Sequence, residues 1–397
     1  MTTSAGDTSS AGWVQQALRE HEQAAPQHGS PQHGSPQPLP GTVREELVLE
    51  RIDRARRARP RVKEERVVMS HGAGGKATQT LIEAVFLDAF RNPILEPLED
   101  AARLHVNGAR VALTTDSYVV SPLFFPGGDI GDLAVNGTVN DLSMAGAVPL
   151  YLSAGFILEE GFLVADLRRI VGSMQAAAQR AGVQVVTGDT KVVEKGKADG
   201  CFISTAGVGV IEHEVSLGVA NAQPGDAILV SGPVGDHGVT IMLARGELDI
   251  EADIVSDTAP LNGLVASLLS ATQGVRALRD ATRGGVATIL NEIAAAAGVG
   301  VLVTEDDIPV RAAVRGASEL LGIDPMYVAC EGRLVAVVDS ACAGTALAVM
   351  RAHPQGRDAA VIGRVTAQPE GIVQLKTAFG GTRIVDMLVG DPLPRIC

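Results

Sequence analysis

The segment DIGDLAVNGTVNDLSMAGA, residues 129–147, decides how the chain is read. It is apolar and small-sided almost throughout, and its pattern is helical. Asp132, Asn136 and Asn140 are spaced i, i+4 and i+8, so they form one polar stripe along it. Asn and Asp are poor helix formers, and a solvated face more often carries Lys, Glu and Gln. The stripe is therefore either an unusual solvent face or a row of groups facing something polar, and Asp141 sits beside it.

Working outward, the pattern is strand, Gly-rich turn, helix, repeated. Upstream, RVVMS (66–70) reads as a strand running into HGAGG, and ARVALTT (109–115) as a strand with Asp116 at its end. Downstream, DLRRIVGSMQAAAQRAG (166–182) is an amphipathic helix stopped by Gly182. VQVVTG (183–188) is a strand that stops at Asp189-Thr190-Lys191, and CFISTAGVGVI (201–211) is another strand. NAQPGDAILVSGPVGDHG (221–238) opens a second region with a turn before an apolar strand. Helices at 239–245, 259–271 and 286–297 and strands at 299–305 and 333–339 follow. GIVQLKTAFGGTRIVDML (371–388) reads as a hairpin turning at Gly380-Gly381. The expected organisation is a charged, low-complexity extension (1–60), one α/β domain (67–215), a second (216–370), and a hairpin with a mobile tail (371–397). The extension carries PQHGS twice, and seven arginines lie between Arg51 and Arg66, across its end; the expected states are disorder and a short solvated helix.

The totals narrow the function. A formal charge of −13 disfavours nucleic acid as a partner. No apolar run reaches the roughly 18 residues a membrane span needs, and the N-terminus has no secretory pattern. Cys201, Cys330, Cys342 and Cys397 show no CxxC spacing, which fits reduced thiols in a cytoplasm better than a zinc ribbon or disulfides.

Several places could carry chemistry. SHGAGGKAT (70–78) fails as a phosphate-binding Walker loop, because Ser70 and Ala77 stand where Gly and Ser or Thr belong. It remains a Gly-rich loop whose backbone N–H groups could wrap phosphates. Asp116, Asp141 and Asp189, from three elements, would suit Mg²⁺, which takes few carboxylates and keeps waters and substrate phosphates. Lys191, two residues beyond Asp189 in an extended segment, points to the same side. DATRGG (280–285) offers Asp280 or Thr282 as a cap and Arg283 to meet an anion at a helix start. Glu331 and Arg333 precede a strand as an acid and a base, either catalytic or simply paired. The last residues, DPLPRIC, end in a bare thiol. Pro392 and Pro394 favour an extended tail, and ten such residues reach roughly 33 Å. The chain's own carboxylate should make Cys397 harder to ionise, which Arg395 could offset.

Together, SHGAGGK, TTDSYVVSPLFFPGGDIGDLAVNGTVNDLSMAGA, VVTGDTKVV, VSGPVGDHG, DATRGGVATILNEIA, EGRLVAVV and the terminal PRIC resemble the HypE family of hydrogenase maturation proteins. These belong to the aminoimidazole-ribonucleotide-synthetase-like (PurM-like) ATP-binding superfamily. The resemblance spans residues 67–397. It implies an α/β, two-domain fold (α+β in its segregated layers), a homodimer whose N-terminal sheets form a barrel, and ATP in the cleft they help build. It further implies that a carbamoyltransferase, HypF, loads the thiol of Cys397. ATP then drives dehydration of that S-carboxamide to an S-cyanide, and a HypC–HypD iron scaffold receives the cyanide. By the same resemblance Asp116, Asp141 and Asp189 would hold Mg²⁺, with Asn140 and Asp280 joining Asp141 and Asp189 on ATP. Gly74 and Gly75 would form a phosphate lid, Lys191 would hold phosphate or orient the amide, and Glu331 would abstract a proton. The alternatives are another enzyme of the superfamily, such as a selenophosphate synthetase, and a non-catalytic maturation adaptor. The first would place a reactive Cys ahead of its glycine-rich loop, but no cysteine precedes Cys201.

Overall fold

The computed structural model describes residues 61–62, 64–246, 252–388, 390 and 395–397. The low-complexity extension and residues 391–394 of the tail lie outside the described residues.

Fourteen strands are described: β1 (Ala102–Val106), β2 (Ala109–Tyr118), β3 (Phe124–Phe125), β4 (Gly128–Asp129), β5 (Val148–Glu159), β6 (Gln184–Val193), β7 (Cys201–Val210), β8 (Ala227–Val230), β9 (Val275–Asp280), β10 (Gly300–Thr304), β11 (Leu334–Val338), β12 (Ala360–Thr366), β13 (Val373–Lys376) and β14 (Thr382–Val385). They build a five-stranded sheet, β1-β2-β7-β5-β6, and a seven-stranded sheet, β14-β13-β10-β12-β8-β11-β9. β3 and β4 form a small ladder of their own. Both large sheets are mixed, with β5–β6 and β10–β13 parallel. Three helices matter most for the site: α1 (Lys76–Leu81), α2 (Ile130–Met144) and α3 (Val164–Ala181). Two more follow, α4 (Asp236–Ala244) and α5 (Asn262–Ala271), and then α6 (Gly285–Ala297).

The helix read first is α2, and it is the hub. Every residue in it is buried except Asp141. Asp129 caps it, accepting hydrogen bonds from the N–H groups of Gly131 (2.8 Å) and Asp132 (3.2 Å). One side packs on the first sheet and on α3. Gly131 allows the close approach to α3, since a Cβ there would stand 2.4 Å from the Ile170 carbonyl oxygen. The second sheet has its own two cores. Val286, Ile289 and Leu290 of α6 cover one face, and Leu264, Val265 and Leu268 of α5 cover the other.

Three expectations about elements are corrected. RVVMS is no strand: Val67, Val68 and Met69 are exposed, and Met69–Gly72 is a 3-10 turn. β6 does not stop before Asp189 but continues to Val193, because β5 pairs with it along that whole length. The 371–388 hairpin is no appendage. Val301–Thr304 of β10 pairs with β13, so the hairpin extends the second sheet and the second α/β region runs to about residue 385.

Candidate active site

The polar stripe on α2 faces neither solvent nor an open cavity. Asn136 Nδ2 donates to Asp132 Oδ2 and to Thr258 Oγ1, both at 3.0 Å. Arg180 of α3 pairs with Asp132. Asn140 uses its amide fully: Nδ2 donates to the carbonyls of Ala259 (3.1 Å) and Glu331 (3.3 Å), and Oδ1 accepts from Leu261 N–H (2.8 Å). The expected ATP contact by Asn140 is therefore corrected. Its side chain ties α2 to residues 259–261 and to the backbone that presents Glu331.

Next to this clamp an acidic cluster forms from Asp116 on β2, Asp141 on α2, Asp280 at the end of β9, and Asp100, which the sequence reading missed. Burial, then Asp280, Asp100 and Asp116, push the Asp141 carboxyl well above the usual range, and Thr114 Oγ1 at 2.8 Å partly opposes this. Burial also raises Asp280, to about 6, with Arg279 opposing and Asp116 adding. Asp100 is raised by burial despite its pairing with Arg279, and its Oδ2 has no hydrogen-bond partner among the described residues. Asp100 is the second of two acids just ahead of β1, and only the fold brings it beside α2.

Glu331 is 3% exposed, and its Oε1 is buried without a partner among the described residues. Burial and the charges of Asp280, Asp116 and Asp257 hold its carboxyl well above the ordinary value, with Arg283 opposing. Arg333 does not pair with Glu331. It turns to the Pro233 carbonyl (3.0 Å) and to Asp257 (3.5 Å).

Asp189 and Lys191 are elsewhere. They pair with each other at 2.6 Å, both well exposed, and the Lys191 ammonium, first of all, lowers the Asp189 carboxyl. β6 lies three strands from β2, on the order of 14 Å. Within one chain Asp189 thus does not join Asp116 and Asp141. Among the described residues no three His, Cys, Asp or Glu side chains are grouped to hold a metal ion. The expected Asp116–Asp141–Asp189 triad is corrected to a cluster of Asp100, Asp116, Asp141 and Asp280.

The Gly-rich loop arches over the start of α6. Gly74, at φ +77°, leaves only enough room for Arg283: a Cβ there would come within 2.8 Å of the Arg283 Cβ and carbonyl oxygen. Arg283 Nη1 donates to the Gly72 carbonyl at 2.8 Å. Gly75 presses against the Leu388 carbonyl, to which Lys76 N–H donates at 2.8 Å.

The tail's end is docked rather than free. Val119 N–H donates to the Cys397 carbonyl (3.0 Å) and Ser121 N–H to that of Arg395 (3.2 Å), so residues 395–397 run antiparallel to 119–121. Arg395 pairs with Asp199 rather than with the chain's own carboxylate. His237 Nε2 lies 2.7 Å from the Ile396 carbonyl oxygen. Cys397 is 8% exposed and packs in the core that the first region shares with Val239, Val314 and Val328 of the second. Burial raises its thiol strongly; Arg283 opposes, and Glu331, Asp116 and Asp280 add. The thiol thus lies within electrostatic reach of the proposed base, the anion-meeting arginine and the acidic cluster, in surroundings that disfavour its ionisation.

Family models for AIR synthase related proteins match both regions, the N-terminal domain at residues 98–211 and the C-terminal domain at residues 223–376. The chain is 57% identical to the carbamoyl dehydratase HypE of Azotobacter vinelandii over 83% of its own length and 97% of that protein's. To the HypE of Escherichia coli K12 it is 48% identical, covering 83% and 99%. It superposes on a HypE solved in complex with ATP at a TM-score of 0.71, with 50% identity over 84% of this chain and 100% of that one. On a chain of a HypE–HypF complex the TM-score is 0.74, with 51% identity over 78% and 99%.

Proposed function

Since the chain belongs to the HypE family of carbamoyl dehydratases, we propose the following division of labour among its residues. The enzyme uses ATP to dehydrate an S-carboxamide on its C-terminal cysteine to an S-cyanide, the source of the cyanide ligand of [NiFe]-hydrogenase. The carrying observation is the position of the terminal thiol, buried beside Glu331 and Arg283 at the end of a docked tail.

An amide oxygen leaves poorly and a phosphate leaves well. The γ-phosphoryl group passes from ATP to the carboxamide oxygen, breaking the bond to ADP and forming a C–O–P bond. Loss of phosphate and of both N–H protons then leaves the nitrile on sulfur. Glu331 takes a nitrogen-bound proton, for which its raised carboxyl, once ionised, is a competent base. Arg283 and the backbone of the Gly74–Gly75 loop meet the transferred phosphoryl group. Within one chain no three of these carboxylates are grouped as a metal site among the described residues. Mg²⁺ would come with the triphosphate: Asp141, whose carboxyl is raised by burial and by Asp280 and Asp116, would with those two share the cation with phosphate oxygens and water, and the bound cation would neutralise phosphate charge.

The homodimer supplies the missing pair. β6 is exposed from Gln184 through Val192 and carries Val185, Val186 and Val192 bare. A second copy covering it buries that edge and brings the Asp189–Lys191 pair toward the partner's nucleotide. HypF is the loading partner, in keeping with the solved HypE–HypF complex. A HypC–HypD scaffold receives the cyanide, and the cytoplasm is the compartment; among the described residues no helix is long and apolar enough to cross a membrane.

Mass spectrometry of the C-terminal peptide tests the reading. With HypF, carbamoyl phosphate and ATP, the peptide ending at Cys397 gains a carboxamide and then loses one water. A peptide that keeps its carboxamide in the presence of ATP would sink the assignment.

A further inference from the structure

The segment VSGPVGDHG, noted in the sequence and left without a role, delivers His237 to the buried underside of the tail. The imidazole is completely buried. Its Nδ1 lies 2.8 Å from Ser256 Oγ and its Nε2 2.7 Å from the Ile396 carbonyl oxygen. The directions are fixed by the partners. A carbonyl only accepts, so Nε2 carries the proton and donates. Burial disfavours a second proton on the ring, so in the neutral imidazole Nδ1 accepts from the Ser256 hydroxyl, and Ser256 Oγ in turn accepts from Thr258 N–H at 3.2 Å. Phe125 stands edge-on against the ring at 5.6 Å between centroids. The ring therefore has one tautomer, one orientation and one carbonyl to hold.

That carbonyl belongs to the residue directly before Cys397. Its neighbours on the tail are held too: Val119 and Ser121 N–H donate to the carbonyls of Cys397 and Arg395, and Arg245 also donates to Arg395. Of these contacts, the one from His237 is the only side-chain donor to the Ile396 peptide among the described residues. We propose that His237, locked by Ser256, is the positioning residue for the tethered substrate: it fixes the Ile396 peptide so that sulfur is presented to Glu331 and Arg283. It touches no reacting atom. The contact is to backbone, so it selects a docked tail rather than an isoleucine. The inference rests on the dehydratase reading above and adds to it the group that seats the tail.

The test compares His237→Leu, Ser256→Ala and His237→Gln with the parent protein, all full length, with thermal melts to identify any variant that fails to fold. Glutamine keeps a donor close to the position of Nε2, and leucine keeps volume without one. Two readouts are taken: alkylation of Cys397 by iodoacetamide, and single-turnover dehydration after loading by HypF. His237→Leu is expected to alkylate about tenfold faster and to dehydrate about tenfold slower, the scale set by one buried hydrogen bond. His237→Gln should recover most of both, and Ser256→Ala should fall between. HypF loading should be unchanged or faster. Should His237→Leu misfold, Ser256→Ala decides by the same two readouts. Folded variants with parental alkylation and dehydration would overturn the inference. So would a parent Cys397 that alkylates as fast as a free thiol. Failure of the dehydratase reading looks different, because the parent itself would then keep its carboxamide.

Discussion

Glu331, Asp141 and Asp280 are placed against their own stability. Each carboxyl is raised by burial, Asp280 to about 6. The sign follows directly. Below the unfolded pKa, near 4, the group is neutral in both states and nothing is lost. As pH rises toward and through the folded value, the unfolded chain ionises first and the native state loses stability. Asp280→Asn should therefore match the parent near pH 4 and exceed it by on the order of 3 kcal/mol at pH 8 in nucleotide-free urea melts. An advantage that grows as pH falls would reverse the assignment. Glu331→Gln should show the same stabilisation while slowing dehydration by about a hundredfold or more, read by single-turnover mass spectrometry. Stability gained and activity lost in one substitution is what a strained functional carboxyl predicts.

At the scale of elements, α2 shows what sequence patterning can and cannot deliver. Its existence, its length and its stripe follow from spacing alone. What the stripe meets does not, because Thr258, Ala259 and Leu261 are more than 110 residues further along and reach it only through the fold. Asn140 has the composition of a ligand and the partners of a clamp. Asn140→Ala should destabilise the chain by roughly 2–4 kcal/mol, from three hydrogen bonds with two of the partners buried, whereas loss of ATP affinity without loss of Tm would restore the ligand role. RVVMS misled for a related reason. A short β-branched apolar run looks like a strand, but a strand needs a neighbour, and Val67, Val68 and Met69 are left exposed. Asp189 and Lys191 were correctly read as sharing one face. The error lay in gathering them with Asp116, since strand order in a sheet is not written in any local stretch.

For the whole molecule, the exposed length of β6 and the distance of Lys191 from the acidic cluster point the same way. If each site borrows Lys191 from its neighbour, two inactive variants can repair each other. Lys191→Ala and Glu331→Gln, mixed and allowed to exchange subunits, should recover up to about a quarter of parental activity, since half the dimers are mixed and each has one intact site. Recovery no better than the sum of the two variants would place Lys191 in its own chain's site. Val186→Asp, at the centre of the bare edge, should shift the protein toward monomer in size-exclusion chromatography and lower dehydration with it. These outcomes were beyond the sequence, where the motifs identify the chemistry but not which subunit contributes which residue.

The docked Cys397 also sets the terms on which the protein can be loaded. A buried thiol is out of reach of a second enzyme, so on the proposed reading a loading transferase would meet only chains whose tail has come off. If the tail is out about 1% of the time, HypF sees an acceptor about a hundredfold weaker than the free tail peptide. Part of that tax can be refunded by any contact HypF makes with the released form alone. Loading and dehydration thus draw on one equilibrium from opposite ends, and a tail held more tightly for the second step is necessarily harder to reach for the first.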